Sequence, residues 1–202
     1  MVPEGKLELR GPCYGYLDPA SGRKQSRRGR ARSALIVACH APPAYIHVRY
    51  AWAERASTTE LTDQLFQVYA TYHPVQMAIE TAGQQYLLYS HVMDEATRRG
   101  IRLPLTEGTQ YTDDAKDARI REAIQPLIAQ GRLCVMSHMR ALTNELTDFP
   151  SGATMDLLDA LAGCLSLMPR PQTIHHVNDT RGAILTYLDR ARAPEHVKDR
   201  WR

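Results

Sequence analysis

A chain of 202 residues is long enough for one well-buried domain and too short for two large ones, and its 44% hydrophobic and 23% charged content is that of an ordinary soluble globular protein. No apolar run approaches the ~18 residues needed to span a bilayer, and the first twenty residues lack the charged-then-apolar order of a signal peptide, so a cytoplasmic protein without membrane contact is expected. The net charge of +3 conceals a cluster: Arg23, Lys24, Arg27, Arg28, Arg30 and Arg32 lie between Ser21 and Arg32 with no acidic residue among them, a local positive field suited to a polyanion.

Residues 1–12 carry Pro3, Gly5, Gly11 and Pro12 and read as a lead-in. Cys13 to Asp18 is a short apolar strand closed by the turn residues Pro19 to Gly22. After the basic segment, Ser33 to His40 is a continuous apolar run, the pattern of a strand covered on both faces. Pro42 and Pro43 mark a turn, and Tyr45 to Trp52 alternates as a half-buried strand does, so three strands in succession form a meander.

The period then changes. Ser57-Thr-Thr-Glu60 is a capping box, in which hydroxyl and carboxylate satisfy the free donors of a helix start. Leu61, Leu65, Val68 and Tyr72 follow at helical spacing, and His73-Pro74 ends the helix. Gln76 to Glu80 reads as a buried strand, Gln84 to Arg99 as a helix closed by Gly100, and Ile101 to Leu105 as a strand leading into a polar loop at Glu107, Gly108 and Thr109. A helix runs from Asp113 to about Gln130, with a short strand at Leu133 to Met136 and a helix at Met139 to Thr147. Thr154 caps a last strong helix through about Met168, and residues 169–202 form a polar extension with a weak helical stretch near Arg181 to Ala193. The order β-β-β-α-β-α-β-α-β-α predicts an α/β fold, a mixed sheet with helices on both faces.

Three acids stand at the ends of these elements. Asp18 and Glu80 each close a hydrophobic strand, and Asp156 opens the last helix. A strand that stops on a carboxylate places the charge at the sheet's rim, where it can hold a hard, oxygen-seeking cation without full burial. If the first meander strand and the first strand after the crossover helix are neighbours, Asp18 sits beside Glu80, and two divalent ions roughly 4 Å apart at such a rim can activate a water and stabilise the leaving oxygen of a phosphodiester. Within Asp156-Leu-Leu-Asp159 the two acids share a helix face; Asp156, in the first turn, is expected to hold metal and Asp159 to be the weaker ligand. Cys13, Cys39, Cys134 and Cys164 show no C-x-x-C pair and read as reduced core thiols. His40, His47 and His138 read as structural, and His175-His176 has no partner ligand at useful spacing.

Tyr16-Leu-Asp18-Pro-Ala, Ala78-Ile-Glu80-Thr, Asp114-Ala-Lys116-Asp-Ala-Arg119-Ile and Phe149-Pro-Ser-Gly-Ala-Thr-Met-Asp156-Leu-Leu-Asp159-Ala resemble, in order and spacing over residues 13–168, the nuclease domain of phage large terminase subunits. The resemblance implies an RNase H-like nuclease domain over 13–168 that cuts double-stranded DNA during genome packaging with two Mg²⁺ or Mn²⁺ ions. It implies Asp18, Glu80 and Asp156 as the catalytic, metal-binding acids, with Lys116 and Arg119 facing the site or the phosphates. Portal, small terminase subunit and a packaging ATPase are the implied partners. Two departures stand out. The family's last motif reads His-Asp-Asp-x-x-Asp-Ala where this chain has Thr154-Met155-Asp156-Leu-Leu-Asp159-Ala160, and no G-x-x-x-x-G-K-[ST] is found, so either the ATPase has been excised or the gene encodes only the nuclease half, and no nucleotide cofactor is expected. The basic segment, directly after Asp18, is expected to grip the DNA backbone. A DNA-binding packaging module without cleavage and an RNase H-like Holliday-junction resolvase are the alternatives.

Overall fold

The structure, a computed structural model, describes residues 11–20, 25–26, 29–30, 32–41, 44–81, 85–109 and 113–169. The basic side chains from Arg23 to Arg30, the stretch near Arg181 to Ala193 and His175-His176 lie outside what it describes. In chain order the elements are β1 (Cys13–Asp18), β2 (Gln25–Ser26), β3 (Gly29–Arg30), β4 (Ser33–Ala41), β5 (Tyr45–Glu54), α1 (Thr58–Tyr72), β6 (Gln76–Glu80), α2 (Gln85–Arg98), β7 (Leu105–Gly108), α3 (Asp113–Ala129), β8 (Leu133–Cys134), α4 (Arg140–Asp148) and α5 (Asp156–Leu167).

Six strands form one mixed sheet in the order β7-β6-β1-β4-β5-β8, and β2 and β3 form a separate small hairpin. The meander β1-β4-β5 is antiparallel, whereas β6 joins β1, β7 joins β6 and β8 joins β5 in parallel. The expected neighbourhood of the first strand and the post-crossover strand is therefore present. Strand β4 is buried from Ser33 to Cys39, as its unbroken apolar run requires, because alternate residues serve two cores. Ala34, Ile36 and Ala38 pack under α3, α4 and α5 with Ile120, Ile124, Leu142 and Leu161. Leu35, Val37 and Cys39 pack under α1 and α2 with Leu65, Phe66, Leu88 and Val92.

The capping box of α1 is formed, with the Glu60 amide donating to Ser57 Oγ at 3.3 Å and the Ser57 amide donating to Glu60 Oε2 at 2.7 Å. The helix ends on His73 in the left-handed conformation (φ 47°), just ahead of Pro74. Other expectations need correction. Strand β7 begins at Leu105 and takes in Glu107 and Gly108, which read as loop residues; Pro104 has no amide to give a ladder, and its carbonyl instead accepts from the Met77 amide at 2.8 Å. Helix α5 begins after Met155, and Thr154 does not cap it. Cys13 and Cys39, expected as reduced thiols, form a disulfide: the antiparallel register sets them directly opposite each other, while Cys134 and Cys164 are buried and reduced. Among the described residues no helix is long and apolar enough to cross a membrane.

At the end of β4 away from Ser33, the His40 amide donates to the Pro12 carbonyl at 3.1 Å and its ring meets the Pro169 backbone. The first and last described stretches thus meet at one rim of the sheet, and Asp18, opposite Ala34, stands at the other.

Candidate metal centre

Strand parity builds the site. Tyr14 and Tyr16 of β1 and Ala78 of β6 face the α3–α5 layer, whereas Leu17, Met77 and Ile79 face α1 and α2. Side chains alternate, so Asp18 and Glu80 inherit the α5 side. The parallel register pairs Tyr16 with Ala78 and Leu17 with Ile79, and one further step sets Asp18 against Glu80. Helix α5 crosses the same layer and delivers Asp159 from its first turn. Carboxylate oxygens of Asp18, Glu80 and Asp159 lie within 4.8 Å of one another.

Asp156, expected as the ligand of this helix, is turned elsewhere: its Oδ2 accepts from Arg32 Nε at 3.1 Å. Asp156 still acts on Asp18 through its charge, but it is Asp159, three residues on in the same first turn, whose carboxylate meets Asp18 and Glu80. Asp159 is 4% exposed and faces α3, where Lys116 Nζ lies 2.5 Å from its Oδ2 and the Arg119 guanidinium pairs with its Oδ1. Arg119 Nη2 also donates to the Asp159 carbonyl at 3.4 Å. Lys116 and Arg119, read from sequence as facing site or phosphates, are therefore placed on an acid of the cluster.

Crowding shifts the acids in one direction. Burial, then the Glu80 charge, pushes the Asp18 carboxyl up to about 7, against the pull of Lys116. Glu80 is also raised, by burial, with Lys116, Arg119 and a hydrogen bond from Tyr16 opposing. Glu80 Oε2 is buried and accepts no hydrogen bond. A buried carboxylate oxygen without a donor is costly, and a cation is the partner that would satisfy it. Three carboxylates with no sulfur or imidazole donor among them suit Mg²⁺ or Mn²⁺ and not a soft metal. The residues present fit the expected ion.

Two supports of the cluster escaped the sequence reading. Tyr16 is 1% exposed, and its hydroxyl lies between Glu80, to which it donates, and Arg119, with the Thr109 carbonyl 3.4 Å away. Its phenol is raised by burial first and by Glu80 second. The ring fits because position 163 carries no side chain: a Cβ on Gly163 would stand 2.5 Å from it. The other support is Glu145 of α4, a carboxylate 5% exposed on the apolar stripe of Leu142 and Leu146. Its Oε2 accepts from the Leu157 and Leu158 amides at 2.9 and 3.2 Å, capping α5 from another helix, and its Oε1 accepts from Thr154 Oγ1 at 2.9 Å and Arg32 Nη2 at 2.7 Å. Burial raises its carboxyl. A carboxylate at helical spacing within an apolar stripe was the available signal.

Arg32 ends the basic segment, so one residue expected to contact DNA is held internally by Glu145 and Asp156. The segment leaves and rejoins the sheet at the acidic rim, where the Ala20 amide donates to Ser33 Oγ at 3.0 Å.

No family model matches this chain, and no curated protein does. Among solved structures, the P22 large terminase nuclease domain is similar at a TM-score of 0.50 and 12% identity, over 80% of this chain and 84% of that one. The fold is RNase H-like. The RNase H-like sheet is also similar to the fowlpox virus Holliday junction resolvase, with TM-score 0.49 and 10% identity over 77% of this chain and 96% of that one. The yeast mitochondrial Holliday junction resolvase Ydc2 gives 0.47 and 12%, over 78% and 79%.

Proposed function

We propose that this chain is a metal-dependent endonuclease for double-stranded DNA, working as a terminase nuclease domain. The observation that carries the reading is the convergence of Asp18, Glu80 and Asp159 at the sheet rim, with Glu80 Oε2 buried and lacking a donor. Asp18, Glu80 and Asp159 would hold Mg²⁺ or Mn²⁺. Such an ion, when bound, supplies Lewis-acid stabilisation of a phosphodiester under attack and lowers the pKa of attacking water.

The chain's own residues do the rest. Tyr16 orients Glu80, Glu145 fixes the start of α5 and with it Asp159, and Lys116 and Arg119 bring positive charge to the side of the cluster facing α3. Arg23, Lys24, Arg27, Arg28 and Arg30 are the proposed grip on the DNA backbone; phosphate contacts of this kind position a substrate without reading its bases. The motif order over residues 13–168 favours the terminase reading, with packaging ATPase, portal and small subunit as partners in the host cytoplasm.

Plasmid nicking and linear-duplex cleavage with Mg²⁺ or Mn²⁺ test the proposal. Asp18→Ala and Glu80→Ala should each abolish cutting. Near wild-type cleavage by either variant at saturating metal would overturn the site, and a strong preference for four-way junctions over linear duplex would move the reading to a resolvase.

A further inference from the structure

We propose that Arg32 is a substrate-positioning residue whose guanidinium, anchored on Glu145, exchanges Asp156 for a DNA phosphate. The duplex is thereby seated beside the carboxylate cluster, and the charge of Asp156 is released toward the cation. The inference rests on the nuclease reading above and names how substrate is felt at that site.

Arg32 has two carboxylate partners in unlike surroundings. Its Nη2 lies 2.7 Å from Glu145 Oε1, and its Nε lies 3.1 Å from Asp156 Oδ2. The Glu145 side chain is 4% exposed and that of Asp156 23%. Breaking the inner pair would strand a buried carboxylate, whereas the outer pair is within reach of water and salt, where such pairs are weak. Glu145 does not depend on Arg32 to hold the start of α5, because it also accepts from Thr154 Oγ1 and from the Leu157 and Leu158 amides. A guanidinium has five N–H donors, more than these two bonds use. A phosphodiester carries the same single charge as the Asp156 carboxylate and presents two oxygens to the planar fork, so the exchange is between like anions.

Position makes the exchange consequential. Arg32 immediately precedes β4, and Ala34 of that strand is paired with Asp18. Asp156 shares the first turn of α5 with Asp159, which belongs to the cluster. A phosphate drawn to Arg32 therefore sits at the rim that carries Asp18, Glu80 and Asp159. In sequence Arg32 closes the basic run that begins at Arg23, the proposed grip on the same backbone. Once phosphate engages Arg32, Asp156 keeps its negative charge without its partner, and that charge acts on Asp18. An uncompensated negative charge beside three carboxylates strengthens their attraction for a cation. Duplex and metal thus favour each other's binding, by the same factor in either order.

Fluorescence anisotropy of the whole chain with a short labelled duplex, in chelator so that nothing is cut, reads the exchange. Asp156→Asn should bind the duplex about fivefold tighter than wild type, and in an Arg32→Gln background the same change should have no effect. Arg32→Gln alone should flatten the log–log salt slope by about 0.9, one phosphate contact on duplex DNA. Arg32→Lys keeps the inner pair with Glu145 but lacks the second edge of the fork, so it serves as the background with the same expectation should the Gln variant not fold. Calorimetry with Mn²⁺ and no DNA reads the other half. Arg32→Gln should bind the ion about fivefold tighter, Asp156→Asn about fivefold weaker, and the double variant like the wild type, whereas a merely structural brace would weaken all three. Equal gains in duplex affinity from Asp156→Asn in both backgrounds, or an Arg32→Gln variant that binds Mn²⁺ no tighter than wild type, would overturn the inference and leave the nuclease reading standing. A wild type that binds neither duplex nor Mn²⁺ would overturn both.

Discussion

Removing the charge of Asp18 should stabilise the metal-free protein, and only above mildly acidic pH. The carboxyl moves from 3.8 to about 7 on folding. Between these values the folded protein holds a proton that the unfolded chain has lost, so stability falls as pH rises through the window. The deficit is absent below about pH 4 and complete above about pH 7. At about 1.4 kcal/mol per pH unit of displacement the full penalty is on the order of 4 kcal/mol, and relaxation around the ionised cluster reduces what Asp18→Asn recovers to about 2–3 kcal/mol. For a domain of this size that is a rise of about 5–10 °C in Tm. Thermal melts with chelator at pH 8 and pH 4 should show the gap at the first and its loss at the second. Adding Mn²⁺ at a hundredfold excess over Kd should stabilise the wild type by about 2.7 kcal/mol and bring it level with the variant, which has lost a ligand. A wild type as stable as Asp18→Asn at pH 8 without metal, or an equal gap at both pH values, would refute electrostatic crowding as the state of this site.

Glu145→Ala takes from the α5 start its only side-chain acceptor among the described residues and leaves Arg32 with Asp156 alone. It should cost about 3 kcal/mol in urea unfolding and raise amide exchange at Leu157 and Leu158, with Glu145→Gln falling between it and wild type. Gly163→Ala drives a Cβ to 2.5 Å from the Tyr16 ring. It should cost about 1–3 kcal/mol, and less in a Tyr16→Leu background, where an equal cost would show that the ring is not what the methyl meets.

How far the sequence carries depends on the kind of feature. Strand β4 declared itself because burial on both faces leaves no polar residue between Ala34 and Cys39, and α1 because Ser57 and Glu60 cap it within four residues. The pairing of β1 with β6 followed from element order. Tertiary facts did not follow. Which of Asp156 and Asp159 lies against Asp18 and Glu80 depends on how α5 is set against β1 and β4. Lys116 and Arg119 held a hint, since two cations on one helix face call for an acid opposite. The disulfide depended on the register of β1 against β4 to a single residue, and for Glu145 the apolar stripe could signal burial but not its partners on α5.

The meeting of Pro12, His40 and Pro169 has an architectural consequence. A unit whose entry and exit share one edge behaves as a cartridge: longer polypeptide can be attached before or after it, or it can be spliced into another protein, without rerouting its interior. Because that edge lies across the sheet from Asp18 and Glu80, polypeptide joined at Pro12 or Pro169 would be mounted at the rim opposite the carboxylate cluster.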